Sequence, residues 1–223
     1  MERHFDEELK ELKQKLVETS ELVKKMIRNA VESLKERNES LIGKVFEDEK
    51  KVNMAQIEID DHALKLIALR QPAASDLRFI ISVIKINSDL ERMADLAVNI
   101  AERNKELLKE PPLKPLIDVP RMAQITQGML EDAIKAFLEK DSELARDICK
   151  RDDTVDNLND QIFRELLTYM LSDPKNINRA IKLILVGKYL ERIADHSTNI
   201  AEDVYYIIEG KDIRHHIEEI ESS

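Results

Sequence analysis

Apolar residues recur at helical intervals along most of the chain. Phe5, Leu9, Leu12, Leu16, Thr19, Val23, Met26 and Ala30 follow one another at alternating steps of four and three. That spacing lays them on one side of a helix and predicts a coiled-coil-like seam over roughly 35 residues. A second segment, about 40–70, turns Leu41, Val45, Val52, Ala55, Ile59, Leu66 and Leu69 inward. A third runs over about 75–108, and three more over about 121–139, 142–171 and 175–209. The third and sixth contain Ile/Val-rich runs with strand propensity. Each continues unbroken into a long amphipathic stretch, so both are assigned as helix.

The prolines mark the breaks. Pro111, Pro112, Pro115 and Pro120 cluster mid-chain. Each lacks a donor and clashes with the preceding turn, so 111–120 is expected to be an extended linker. Asp173 is placed to cap a helix with Pro174 in its first turn, and Ser75 or Asp76 to cap the third helix. Gly210 is suited to end the sixth. Short connections make successive helices antiparallel neighbours. The prediction is all-α: two pseudo-symmetric three-helix bundles, over 1–110 and 121–223, joined by the 111–120 linker.

The halves repeat. Leu90 to Glu102 lies against Leu190 to Glu202 at a constant offset of 100, with 9 of 13 positions identical. Helical periodicity alone matches apolar to apolar. It does not dictate a shared Glu-Arg-x-Ala-Asp followed by Asn and Glu. At 100° per residue, Glu91, Asp95, Asn99 and Glu102 form one polar stripe, and Glu191, Asp195, Asn199 and Glu202 form its copy. Leu90, Met93, Ala94, Ala97, Val98, Ile100 and Ala101 cover the other side.

A run of charge on a helix is ordinarily a solvated face. Like charges at i and i+4 nevertheless cost an isolated helix about 0.2–0.5 kcal/mol, and here the pair occurs twice. A multivalent cation would reverse that sign. Carboxylate and amide oxygens suit magnesium, calcium, manganese or iron, and zinc also accepts carboxylates. Asp152, Asp156 and Asp160 form a further stripe on the fifth helix, beside the one carrying Glu191 and Asp195. Their first-half counterparts, aligned through Val52 and Val155, include Glu49 and Asn53, one charge fewer.

Other residues have plainer expectations. Arg92 and Arg192 are expected to form ion pairs flanking the stripes, and Arg78 to pair with acids of a neighbouring helix. His196, His215 and His216 read as surface residues and Cys149 as a buried small apolar residue. Gly187, costly in mid-helix, is expected to permit close packing.

Composition narrows the function. Among 223 residues there are 35 Lys and Arg against 45 Asp and Glu, a formal charge of −10. That balance disfavours a general nucleic-acid binder. One cysteine precludes an intrachain disulfide and suits a reducing cytoplasm. No apolar stretch approaches the roughly 20 residues a membrane span needs, so no membrane insertion is expected. Four scattered glycines make no phosphate loop, and no His has Glu three residues before it, as di-iron bundles require. No catalytic residue is assigned, and an enzyme is not expected.

Asp76-Leu77-Arg78, the doubled Glu-Arg-x-Ala-Asp with its Asn-Ile-Ala-Glu extension, the opening Phe5-x3-Leu9-x2-Leu12 and the proline linker resemble the PhoU family of phosphate-uptake regulators. The resemblance covers nearly the whole chain. It implies a cytoplasmic, non-enzymatic regulator that represses uptake and phosphate-starvation signalling when phosphate is ample. It implies as partners the ATPase subunit of a phosphate ABC transporter and a sensor histidine kinase, with a homodimer as the expected assembly. It further implies multinuclear metal sites, of unspecified metal, on Glu91/Asp95, Glu191/Asp195 and Asp152/Asp156. Glu49/Asn53 departs from the motif, and Asn99, Glu102, Asn199 and Glu202 are additional oxygen donors. A metal-free module docking acidic faces on a basic partner surface is the alternative.

Overall fold

The computed structural model describes residues 2–210, with side chains from His4 onward. His215 and His216 lie outside the described residues. Six long helices appear: α1 (Glu2–Lys35), α2 (Glu39–Arg70), α3 (Ala74–Leu107), α4 (Asp118–Glu139), α5 (Ser142–Ser172) and α6 (Ile177–Glu209). No strand occurs among the described residues. The α1 seam is buried from Leu12 through Leu16, Val23 and Met26 to Ala30, with Phe5 and Leu9 packed at its edge.

Each triplet closes on itself, α1 with α2 and α3, α4 with α5 and α6. The triplets then join through α3 on α6 and α1 on α4, leaving α2 and α5 on the two flanks. One continuous apolar core results. Lys85 to Asp203 (3.0 Å), Asp89 to His196 (2.9 Å) and Glu106 to Lys182 (3.0 Å) run in opposite orders along α3 and α6. The central pair is therefore antiparallel. Leu90, Met93, Leu190 and Ile193 are fully buried, and truncating such a residue to Ala costs about 2–5 kcal/mol.

Several helix ends differ from expectation. α4 begins at Asp118, so Pro120 sits in its first turn, where a missing N–H costs nothing. The N-cap of α3 is Ala73, which has no side-chain acceptor, while Ser75 and Asp76 lie inside the first turn. Asp173 caps as expected, but onto a single 3-10 turn, Pro174–Asn176, ahead of α6. Gly210 ends α6 in the left-handed region at φ 71°. Leu69 is 74 % exposed. It falls in the last turn of α2, where the chain leaves the bundle.

The connection between α3 and α4, residues 108–117, is a run of turns and bends that is tied down. The Arg37 guanidinium donates to the carbonyls of Leu108 (2.7 Å) and Glu110 (2.9 Å). Arg179 donates to the Pro111 carbonyl (3.0 Å), and Lys114 pairs with Glu165.

Candidate functional site: two acidic faces

On the first bundle, α3 carries Glu91 and Asp95 towards Glu49 of α2. Burial first, then the neighbouring carboxylates, hold both acids above their ordinary range, with Glu49 acting on each. Asn53 Nδ2 donates to Glu49 Oε1 (2.6 Å), which leaves the buried Asn53 Oδ1 without a donor.

On the second bundle, four carboxylates converge: Asp152 and Asp156 of α5, Glu191 and Asp195 of α6. Asp152 is pushed up to about 7, by burial and then by the charges of Asp156 and Asp195. Asp156 and Asp195 are raised by burial and then by Glu191. The nearby Thr198 hydroxyl, which donates to the Ala194 carbonyl (3.2 Å), partly offsets this, yet Asp152 Oδ1 is buried with no partner.

Glu191 is held from two sides, by Lys188 Nζ (2.5 Å) and by Asn159 Nδ2 (2.5 Å). Gly187 makes the second bond possible. A Cβ there would lie 2.8 Å from Asn159 Oδ1, so the expected close packing is present. Asn159, Lys188 and Thr198 were not legible as part of this face, and the mid-helix glycine is the only local signal of Asn159.

The remaining expected residues disperse. Asp160 has rotated away along α5 and faces Arg164 at 3.6 Å, because steps of four drift about 40° each. Glu102 lies 3.5 Å from Arg103. Glu202 faces Cys149, whose buried thiol is pushed up to about 12 by desolvation and then by Glu202 and Asp152. Asn99 is half-buried. Asn199 lies in an open groove along the α3–α6 seam with Arg92, Asp95, Arg192, Asp195 and His196.

Three expectations are corrected. Arg92 and Arg192 make no ion pair among the described residues; both are exposed and favour the ionised stripe only at a distance. Arg78 is exposed and meets no acid partner among them. His196 is no plain surface residue. Its ring is 17 % exposed, and Nδ1 lies against Asp89 across the seam.

The donor set is oxygen-rich, negatively charged and undersupplied with hydrogen-bond donors, which fits a hard cation. As they stand, no three His, Cys, Asp or Glu side chains among the described residues are grouped to hold one.

Fold and faces define a class: a tandem-repeat helical-bundle protein whose distinctive surface is acidic and duplicated. The chain matches the PhoU domain twice, over residues 16–103 and 119–204. It is 42 % identical to the phosphate-specific transport system accessory protein PhoU homolog of Aquifex aeolicus, over 95 % of this chain and 96 % of that one. A second such homolog, from Thermotoga maritima, is 36 % identical over 95 % of this chain and 90 % of its own length. The crystal structure of PhoU from Pseudomonas aeruginosa superposes with a TM-score of 0.89, at 37 % identity, over 93 % of this chain and all of that one. That of the phosphate transport system regulatory protein PhoU from Streptococcus pneumoniae gives 0.84 at 28 % identity, over 93 % and 98 %. This chain belongs to the PhoU family.

Proposed function

We propose that the protein is an accessory regulator of phosphate uptake. The relatives are named as accessory and regulatory proteins of the phosphate-specific transport system, over almost their full lengths. In this reading it works in the cytoplasm, associates with the ATPase subunit of the transporter and with a sensor histidine kinase, and represses uptake when phosphate is ample. It acts by binding rather than catalysis, and as a homodimer. Among the described residues no helix is long and apolar enough to cross a membrane.

The acidic faces are the regulatory surface. The observation carrying this is the pair of buried, donorless oxygens, Asn53 Oδ1 and Asp152 Oδ1, one on each face among carboxylates raised by burial and then by one another's charge. Glu49, Glu91 and Asp95 with Asn53 would hold a divalent or trivalent cation on one face. Asp152, Asp156, Glu191 and Asp195 would hold it on the other, with Asn99, Glu102, Asn199 and Glu202 as outlying donors. Such a cation supplies the positive charge these faces lack. Elemental analysis of protein purified without chelator, set against Glu191→Gln/Asp195→Asn, tests the ligand assignment; equal metal in both overturns it. Capture of the transporter ATPase from cells at high and low phosphate tests the regulatory role, and no association in either condition overturns it.

The exposure of Asp95, Asp156 and Asp195 favours a second reading, in which the faces dock directly on basic partner surfaces. Binding that ignores chelator but weakens with salt would select it.

A further inference from the structure

A cavity of about 190 Å³ lies under the proline segment, where the last turns of α1 and α3 meet the first turns of α6. Five leucines and three prolines make most of its wall. The other four lining residues are all cationic: Lys35, Arg37, Lys114 and Arg179. No acid lines it, in a protein of net charge −10.

Structural partners use only part of this charge. The Lys114 side chain is 8 % exposed and pairs with Glu165. Arg179, 15 % exposed, gives Nη1 to the Pro111 carbonyl (3.0 Å) and Nη2 to Asn176 Oδ1 (2.7 Å). Its Nε is buried with no acceptor, and the Glu110 carboxylate stands off at 3.6 Å. Arg37 spends Nη2 on the Leu108 and Glu110 carbonyls and makes no ion pair among the described residues. Lys35 is exposed and likewise unpaired among them. Glu165 and Glu110 thus answer two of the four cations, and Lys35 and Arg37 stay unanswered.

Guanidinium forks match the oxygens of an anion, and a buried donor without an acceptor is costly. The apolar wall then selects among anions. A bare inorganic oxyanion would lose its hydration to leucine and proline without return, whereas an organic acid sets its apolar body there. Size limits that body: an apolar cavity of about 150 Å³ holds one benzene ring. We propose that this cavity binds a small organic carboxylate whose body is one ring or a branched chain of similar bulk. Arg37 and Arg179 hold its oxygens in the field of Lys35, and the leucines take its body. The occupant sits beneath the covalent link between the two halves.

The test titrates benzoate into the full chain carrying isotope-labelled leucine methyls, read by NMR. Saturable shifts are expected at Leu34, Leu107, Leu113, Leu116 and Leu183, with benzamide, the neutral isostere, binding at least tenfold more weakly. Lys35→Gln, which leaves the bonds to the connecting segment intact, should weaken benzoate about threefold. Arg179→Gln should weaken it at least tenfold. That variant also loses a bond to Pro111, so Lys35→Gln decides where thermal unfolding shows it loosened. No saturable shift at these methyls, equal binding of benzamide, or benzoate affinity unchanged in Lys35→Gln overturns the proposal. Inorganic phosphate displacing benzoate at equal concentration also overturns it, because the site would then take a bare oxyanion.

Discussion

The two acidic faces began as copies and are no longer equivalent. On the second, Asp156 stands where the first has Asn53, Thr198 where it has Val98, and His196 where it has Leu96. Gly187 replaces Asn87. In the first bundle Asn87 donates to Asp60 (2.9 Å) and to the Gln56 carbonyl (3.0 Å), tying α3 to α2. In the second, the missing side chain lets Asn159 reach Glu191. The first bundle therefore spends its inter-helix polar contact on structure, while the second spends it on orienting a carboxylate. Accumulated charge differs accordingly, since only Asp152 is driven as far as about 7.

A nearby pair shows the same divergence with signs exchanged. Asp48, nearly fully buried, accepts from Lys25 (2.8 Å) and Lys51 (2.5 Å). Its counterpart Arg151 is instead flanked by Asp132 (2.7 Å) and Asp147 (2.8 Å). The two lysines hold the Asp48 carboxyl below its usual range despite burial. The largest predicted effect follows. Lys25→Ala/Lys51→Ala strips Asp48 of both its donors and should cost about 1–2 kcal/mol in urea unfolding at neutral pH, discounted for the exposure of the two lysines. The loss should shrink as pH falls through the acid range, where Asp48 protonates.

The faces themselves should respond in the opposite direction. Asp152 has a raised folded-state pKa, so its folded form binds more protons than its unfolded form between about pH 4 and 7. Its ionisation therefore removes stability as pH rises. In chelator at pH 8, Asp152→Asn should stabilise by about 1 kcal/mol, allowing for solvent screening of a half-buried group, and the advantage should shrink as pH falls below about 7 and vanish near pH 4. Glu49→Gln at the counterpart position should change stability by less than about 0.5 kcal/mol.

Asn53→Asp breaks the comparison from the other side by restoring the missing carboxylate. It should destabilise the chelated protein by about 0.5–1 kcal/mol. It should also bring metal uptake by the first face up to that of the second, checked by calcium or manganese titration.

Gly187→Ala should leave stability within about 1 kcal/mol of the unaltered chain. The helix gains roughly that much in propensity and loses the Asn159 contact. Its signature is a changed Glu191 carboxyl signal in NMR, as one of the two donors to that carboxylate, Asn159 Nδ2, is displaced.

The helices and their repeat were legible because both are written in local pattern. Thr19 to Ala30 falls on one side of α1 whatever surrounds it, and Glu91 to Glu102 recurs whole at 191 to 202. Within-helix spacing also showed that Glu91 and Asp95 share a side. It did not show how α5 packs on α6, so Asn159, Thr198 and Lys188 stayed hidden, and Asp160 was kept in a stripe from which helical drift removes it. His196 and Arg92 failed for the same reason. Their environment is set by α3 crossing α6, a contact between halves that no periodicity within either half encodes.

The α3–α6 seam carries a last consequence. Its three bridges, Lys85–Asp203, Asp89–His196 and Glu106–Lys182, have no mirror images: the matching positions hold Leu185 and Arg103, Tyr189 and Leu96, Tyr206 and Ser82. In an association of two identical half-chains every such bridge must appear twice or not at all. Joining the halves through the tethered 108–117 segment lifts that requirement, and it makes the encounter unimolecular. The seam no longer has to recognise itself. Each half can specialise, one as scaffold and one as charged surface, while the other keeps it folded.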